Sequence, residues 1–162
     1  MLDSGKTALA QDDILKLDSQ LCFGLYAATH AITRVYRPLL NELGITYSQF
    51  LVLLALWDQD QQTVTSLGTN LFLDSGTLSP VLKRLEASGF ITKTRQSRDE
   101  RVVEVSLTRN GRDLQEQARE VCRKVRCRLG MPAPDIASLR RDLDRVLSAL
   151  GKDVPVPAGA AK

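Results

Sequence analysis

At 162 residues, with 43% hydrophobic and 25% charged side chains, the chain has the size and composition of one ordinary globular domain. It holds no run of 18 apolar residues, and residues 1–13 combine neither a basic start nor an apolar stretch, which argues against secretion or membrane insertion and predicts a cytoplasmic protein. The net charge of +3 understates a local concentration: between residues 81 and 101, six bases (Lys83, Arg84, Lys93, Arg95, Arg98, Arg101) face three acids (Glu86, Asp99, Glu100), so one short window carries as much charge as the whole chain.

Residues 1–13 read as a flexible tail and residues 14–150 as a single domain. From 14 to about 43 the pattern is helical, with Leu21, Leu25, Ala28, Ile32, Val35 and Leu39 on one stripe and Cys22, Tyr26, Thr29, Thr33, Tyr36 and Leu40 on a second beside it. Two buried stripes on one helix imply two partners, one in its own core and one elsewhere. Pro38 is placed to kink or end this helix, Gly44 is a stop signal, and residues 47–57 resume as a short apolar helix containing Trp57 as a core residue. Residues 63–71 form a short helix with Val64, Leu67 and Leu71 on one face. Asp74 then caps a helix running to Ser88, with Leu78, Val81, Leu82 and Leu85 inward and Thr77, Pro80, Lys83 and Arg84 on the opposite face. Pro80 predicts a bend or a later start, and Gly89 ends the helix. Residues 91–95 and 102–107 are rich in β-branched side chains, with a polar connection between them, and predict a hairpin. A long helix follows through Arg128, with a stripe of Leu114, Ala118, Val121 and Val125. Gly130 and Pro132 break it, and Ile136, Leu139, Leu143, Val146 and Leu150 define a last helix. Residues 151–162 read as a disordered tail.

Two short helices, a tight turn and a basic hairpin, over about residues 63–107, are the parts of a winged helix-turn-helix. In that arrangement the second helix enters a major groove and the hairpin reaches the neighbouring minor groove. Ser75, Thr77 and Ser79 are small enough to let the helix approach base edges, Arg84 suits a guanine or a phosphate, and Lys83 and Arg95 suit phosphates. The stretch LFLDSGTLSPVLKRLEASGFITKTRQSRDERVVEVSLTRNG, residues 71–111, resembles the recognition helix and wing of MarR-family regulators, with Asp99-Glu100-Arg101 matching that family's D-x-R wing signature. The resemblance covers roughly residues 15–150. It implies a mainly α fold with a small β-hairpin wing, and a homodimer joined through its first and last helices. It also implies a pseudo-palindromic double-stranded operator, with Asp99 bracing the wing and Arg101 entering the minor groove.

Three cysteines, Cys22, Cys122 and Cys127, are expected to be thiols at rest in a reducing compartment. With His30 as the single histidine and no close-set Cys/His cluster, neither a metal site nor a cofactor is expected. His30 itself reads as an interfacial or partly exposed side chain. Residues 21–57 resemble the organic-hydroperoxide-sensing, OhrR-type subgroup through Cys22, Tyr36 and Tyr47. The resemblance implies that Cys22 is oxidised by an organic hydroperoxide to a sulfenic acid, with both tyrosine hydroxyls hydrogen-bonded to its sulfur. Such donation favours a thiolate over a thiol. It also places Cys127 as the resolving thiol of the two-cysteine branch, giving an intersubunit disulfide with Cys22. That link would shift the paired reading heads out of the spacing of about 34 Å that successive major grooves require.

Helix geometry adds one constraint. Cys22 and Tyr36 are 14 residues apart, so a continuous helix separates them by about 21 Å along its axis. In a twofold dimer, antiparallel copies of the helix crossing near Thr29 would bring Cys22 of one chain to Tyr36 of the other. Cys122 and Cys127 are five residues apart, about 7.5 Å of rise and about 140° of rotation on a helix, which disfavours a bond between them. Cys122 reads as an inert packing residue, and whether it substitutes for Cys127 stays open. Two other functions also fit the residues: a MarR-type repressor released by a small phenolic ligand, and a thiol peroxidase. The peroxidase would leave the basic hairpin without a role and lacks a Cys-x-x-C for recycling.

Overall fold

The computed structural model describes residues 14–96 and 99–151, with side chains left out of the description from 96 to 101. The tails expected at 1–13 and, beyond Gly151, at 151–162, and the side chains of Asp99 and Arg101, therefore lie outside the described residues. The elements in chain order are α1 (Leu21–Glu42), α2 (Tyr47–Asp58), β1 (Gln62–Thr63), α3 (Val64–Leu71), α4 (Ser75–Ala87), β2 (Ile91–Gln96), β3 (Asp99–Leu107), α5 (Arg109–Leu129) and α6 (Ala133–Leu150). The chain forms two compact units that divide within α1, one up to Val35 and one from Tyr36 onward.

The first helix starts later than the hydrophobic pattern suggests. Leu17–Ser19 is a single 3-10 turn, and Gln20 is extended (φ −83°, ψ 116°), so the α-helix begins at Leu21. Asp18 and Ser19 favour such turns because their side chains compete for nearby backbone groups. Pro38 does not end α1, which runs to Glu42. The stop comes at Gly44, whose left-handed φ of 71° lets the Gly44 and Ile45 N–H groups bond the Asn41 and Leu40 carbonyls at 3.0 and 3.1 Å. A capping box then opens α2: Gln49 Nα donates to the Thr46 hydroxyl, and the Thr46 N–H donates to Gln49 Oε1 at 2.7 Å.

The sheet has three antiparallel strands in the order β1-β3-β2, where a two-stranded hairpin was expected. β1 pairs Gln62 with Val105 and Thr63 with Glu104. Two residues are too short for any alternation to be read from sequence. In the hairpin, Ile91 faces Leu107 and Arg95 faces Val103, and the register shifts between Arg95 and Gln96.

The core of the second unit is built from Phe50, Val52, Leu53 and Leu56 of α2, Leu67 of α3, Leu78, Leu82 and Leu85 of α4, and Ile91 and Val105 of the sheet. Each buried Leu or Phe contributes about 1.5–3 kcal/mol. The predicted stripe of α5, Leu114, Ala118, Val121 and Val125, is buried as expected. The outer helices differ: α1 buries only Leu40 and α6 buries nothing. Leu21 and Tyr26 are 63% and 61% exposed, and Leu139 and Leu150 are 50% and 56% exposed, so amphipathic patterns that predicted burial are left open in the single chain. Among the described residues no single helix is long and apolar enough to cross a membrane.

Candidate functional site

The reading module is held by short-range bonds. Thr63 caps α3 by accepting from the Ser66 N–H at 3.1 Å. The turn into α4 is tight: Phe72 takes a left-handed conformation (φ 55°), the Leu73 N–H reaches the Gly68 carbonyl at 2.9 Å, and a Cβ on Gly68 would stand 2.8 Å from the Leu73 carbonyl oxygen. Asp74 caps α4 as predicted, accepting from the Thr77 N–H at 2.9 Å and the Thr77 hydroxyl at 2.7 Å. Those two bonds, the hydroxyl first, hold its carboxyl below the usual carboxylate range.

With Leu78, Leu82 and Leu85 buried, Ser75, Thr77, Ser79, Pro80, Lys83 and Arg84 all lie exposed. Pro80 neither delays nor ends the helix, which starts at Ser75. The Thr77 and Ser79 hydroxyl protons are used within the helix, the latter on the Ser75 carbonyl at 2.6 Å, so both oxygens meet an incoming partner as acceptors. On the wing, Arg95 is exposed, whereas Lys93 is bound to Glu86 at 2.8 Å and ties β2 to α4. Asp99 and Arg101 lie on β3, with side chains outside the described residues.

α5 is welded to the wing at its first turn by contacts the sequence reading did not foresee. Thr108 caps it through the Gly111 N–H at 3.0 Å, donates its own hydroxyl to the Gly89 carbonyl at 2.6 Å, and gives its N–H to the Phe90 carbonyl at 3.0 Å. The Trp57 indole N–H donates to the Gly111 carbonyl at 2.9 Å, so this side chain, half-buried rather than in the core as expected, bridges from α2 to α5. Asp60 accepts from the Leu107 N–H at 2.9 Å and from the Arg112 guanidinium at 2.6 Å. A charged acceptor shared between a strand end and a helix start fixes both.

The thiol-related residues fall in both units. Cys22 is exposed on α1 in the first unit, where the Tyr26 and His30 rings meet at a tilt of 57° with centroids 4.3 Å apart. In the second unit, Tyr36 and Tyr47 lie side by side, ring centroids 5.3 Å apart, with Phe50 5.5 Å from Tyr36. Cys122, read as inert from the sequence, is half-buried on α5. Cys122 also lines a cleft of about 530 Å³ between α2 and α5, together with Leu54, Trp57 and Ala118. Its spacing of four from Ala118 placed it next to the buried stripe, which was the available signal. Cys127 is exposed at the far end of α5.

Burial first, then the Cys122 sulfur and Tyr47, push the Tyr36 hydroxyl up to about 12, and burial raises Tyr47 as well. Both phenols therefore remain donors at any physiological pH. The sign of the linkage follows: the folded chain keeps phenolic protons that an unfolded chain surrenders near 10, so this stabilisation is complete below pH 10 and disappears as pH rises toward about 12. Urea midpoints followed across that window are expected to fall in the wild type and to fall less in Tyr36→Phe. An equal fall in both would remove Tyr36 from the explanation.

With this geometry in place, comparison with known proteins is informative. The family model described as transcriptional regulator SarA/Rot matches residues 34–118. The organic hydroperoxide resistance transcriptional regulator of Bacillus subtilis (strain 168) is 44% identical over 138 residues, covering 85% of this chain and 94% of that protein. Among solved structures, reduced AbfR bound to DNA is similar at TM-score 0.73 and 37% identity, covering 86% of this chain and 96% of the other. The disulfide-formed AbfR aligns at TM-score 0.61 with 37% identity, over 84% and 96% of the two chains. AbfR is a protein of Staphylococcus epidermidis. A mainly helical chain with a three-stranded wing, a capped reading helix and these relatives belongs to the MarR/SarA family of winged helix-turn-helix transcriptional regulators, on the branch of the organic hydroperoxide resistance regulators.

Proposed function

We propose that the chain is a homodimeric, DNA-binding repressor of cytoplasmic location that grips a pseudo-palindromic operator and leaves it when an organic hydroperoxide oxidises Cys22. The reading part spans about residues 63–107. Ser75, Thr77 and Ser79 approach base edges, Lys83, Arg84 and Arg95 hold phosphates or a guanine, Asp99 braces the wing, and Arg101 enters the minor groove. The open apolar faces of α1 and α6 supply the dimer contact, since exposed apolar helix faces of this extent mark association surfaces.

The chemistry balances in two steps. The Cys22 thiolate attacks the hydroperoxide, the O–O bond breaks, an alcohol leaves after taking a proton, and the sulfur becomes a sulfenic acid. A second thiol, Cys127 of the partner protomer, then displaces water from that sulfur and the disulfide forms. Tyr36 and Tyr47 hold the Cys22 sulfur beforehand by donating their hydroxyls.

The observation that carries the reading is the set of AbfR likenesses. This chain fits that relative at 0.73 both as the reduced, DNA-bound protein and as the overoxidised, DNA-bound protein, and at 0.61 as the disulfide form, which supports a disulfide, rather than oxidation of the sulfur as such, as the step that takes this chain from DNA. In this chain the welded first turn of α5 would convey its effect. A pull on Cys127 at one end of α5 moves Gly111, Trp57 and the wing at the other.

Operator affinity measured by fluorescence anisotropy, before and after stoichiometric cumene hydroperoxide, tests the proposal. Wild type is expected to lose about 100-fold or more, approaching non-specific binding, because one head is taken out of register. Cys22→Ser is expected to keep its affinity. Equal release of Cys22→Ser by peroxide would overturn the redox reading, and release by an aromatic acid alone would point to a ligand-gated repressor.

A further inference from the structure

We propose that the cleft between α4 and the wing seats the sugar-phosphate backbone of one DNA strand, with Lys93 and Thr65 holding its phosphate. This rests on the reading above, in which α4 enters a major groove and the wing reaches the neighbouring minor groove.

Duplex geometry demands such a seat. Adjacent major and minor grooves are divided by a single sugar-phosphate strand, so a module that places one element in each must let that strand pass between them. The fold is open at that place: a cleft of about 570 Å³ lies between α4, the hairpin and the start of α3. Its walls suit a backbone better than a base edge. Val64, Leu82 and Val103 offer an apolar surface for the C–H faces of a deoxyribose, while Thr65, Ser79 and Lys93 bring two hydroxyls and an ammonium from three elements. The Ser79 proton is held by the Ser75 carbonyl at 2.6 Å, which leaves the exposed Thr65 hydroxyl and the Lys93 ammonium to donate to a phosphate oxygen.

Lys93 is unlike the other bases of the module. It is half-buried, and its ammonium lies 2.8 Å from the Glu86 carboxylate, whereas Lys83 and Arg84 are exposed. An ammonium carries three protons, so one ion pair fixes the head group and leaves two protons for an incoming anion. A side chain already held in this way loses less rotamer freedom on binding than an exposed lysine does. Contacts to phosphate carry no base information and set the register from which base edges are read. The seat therefore strengthens binding to any duplex and leaves the choice of sequence to α4.

Fluorescence anisotropy over a salt series tests this with two duplexes, one selected by the wild type from a random-sequence library and an unrelated one of equal length. Lys93→Gln is expected to weaken both duplexes by a similar factor and to make the slope of log affinity against log salt shallower by about one per head, about two for a dimer. Thr65→Val, which keeps the shape and removes the hydroxyl, is expected to cost about tenfold with the slope unchanged. Glu86→Gln breaks the same tie between α4 and β2 but keeps the ammonium, so it is expected to bind at least as tightly as the wild type. If Lys93→Gln and Glu86→Gln weaken binding alike, the lysine acts only by bracing the wing and the seat is overturned. A wild-type salt slope in Lys93→Gln, or wild-type affinity in Thr65→Val, overturns the phosphate contact of that residue, while the reading by α4 stands. A wild type that selects no duplex from the library overturns the underlying reading and takes the seat with it.

Discussion

Gly111→Ala is expected to lower the unfolding free energy by about 2 kcal/mol or more and to cost operator affinity beyond that loss of stability. Helix propensity alone argues the other way, since alanine within a helix is worth about 1 kcal/mol over glycine. Sterics decide the sign. A Cβ on Gly111 would overlap the Phe90 carbonyl oxygen and stand 3.2 Å from Leu107 Cδ2. The Phe90 oxygen cannot retreat freely, because it accepts the Thr108 N–H, and Gly111 is held by Thr108 on one side and Trp57 on the other. Forcing a methyl group into such a site costs about 1–3 kcal/mol, occasionally more, and here the displaced groups join α5 to the wing. Urea unfolding with operator anisotropy on the same sample checks both parts. Trp57→Phe, which removes one hydrogen bond worth about 1 kcal/mol and keeps most of the ring packing, serves as the milder comparison. Unchanged stability in Gly111→Ala would show that the weld is soft.

The parts of this fold that are periodic were legible in the sequence. The α4 stripe, its Asp74 cap and the buried face of α5 follow from spacing and capping chemistry alone, and the exposed Lys83 and Arg84 follow from the same helical wheel. What escaped had no local signature. Asp60 and Arg112 are 52 residues apart in sequence, so no window contains both. β1 is too short to alternate. Pro38 and Pro80 looked like breaks because proline in a helix interior costs about 3 kcal/mol, a term overridden where Leu40, Leu78 and Leu82 are fully buried alongside.

The candidate site was legible unevenly. Tyr36 and Tyr47 were singled out as a pair of hydroxyls for one sulfur, and the fold sets their rings 5.3 Å apart. Cys122 was read as inert, with its substitution for Cys127 left open, and only the fold shows that it lines the cleft between α2 and α5. Conversely, α1 and α6 carry the amphipathic pattern of buried helices yet are open in the single chain, and periodicity alone does not say what covers them.

In the proposed dimer each sensing site joins Cys22 of one protomer to the tyrosine pair of the other, and a mixed dimer decides whether it does. One chain carries Cys22→Ser and its partner carries Tyr36→Phe, each with a different affinity tag for isolation. If sites form between chains, the remaining Cys22 faces an intact Tyr36 from the opposite chain; if sites form within one chain, that Cys22 faces phenylalanine. The rate of Cys22 oxidation by cumene hydroperoxide is the readout, with wild type and the Tyr36→Phe homodimer as limits. With sites shared between chains, the single Cys22 of the mixed dimer is expected to react at the wild-type rate. Reaction at the slower rate of the Tyr36→Phe homodimer would contradict it.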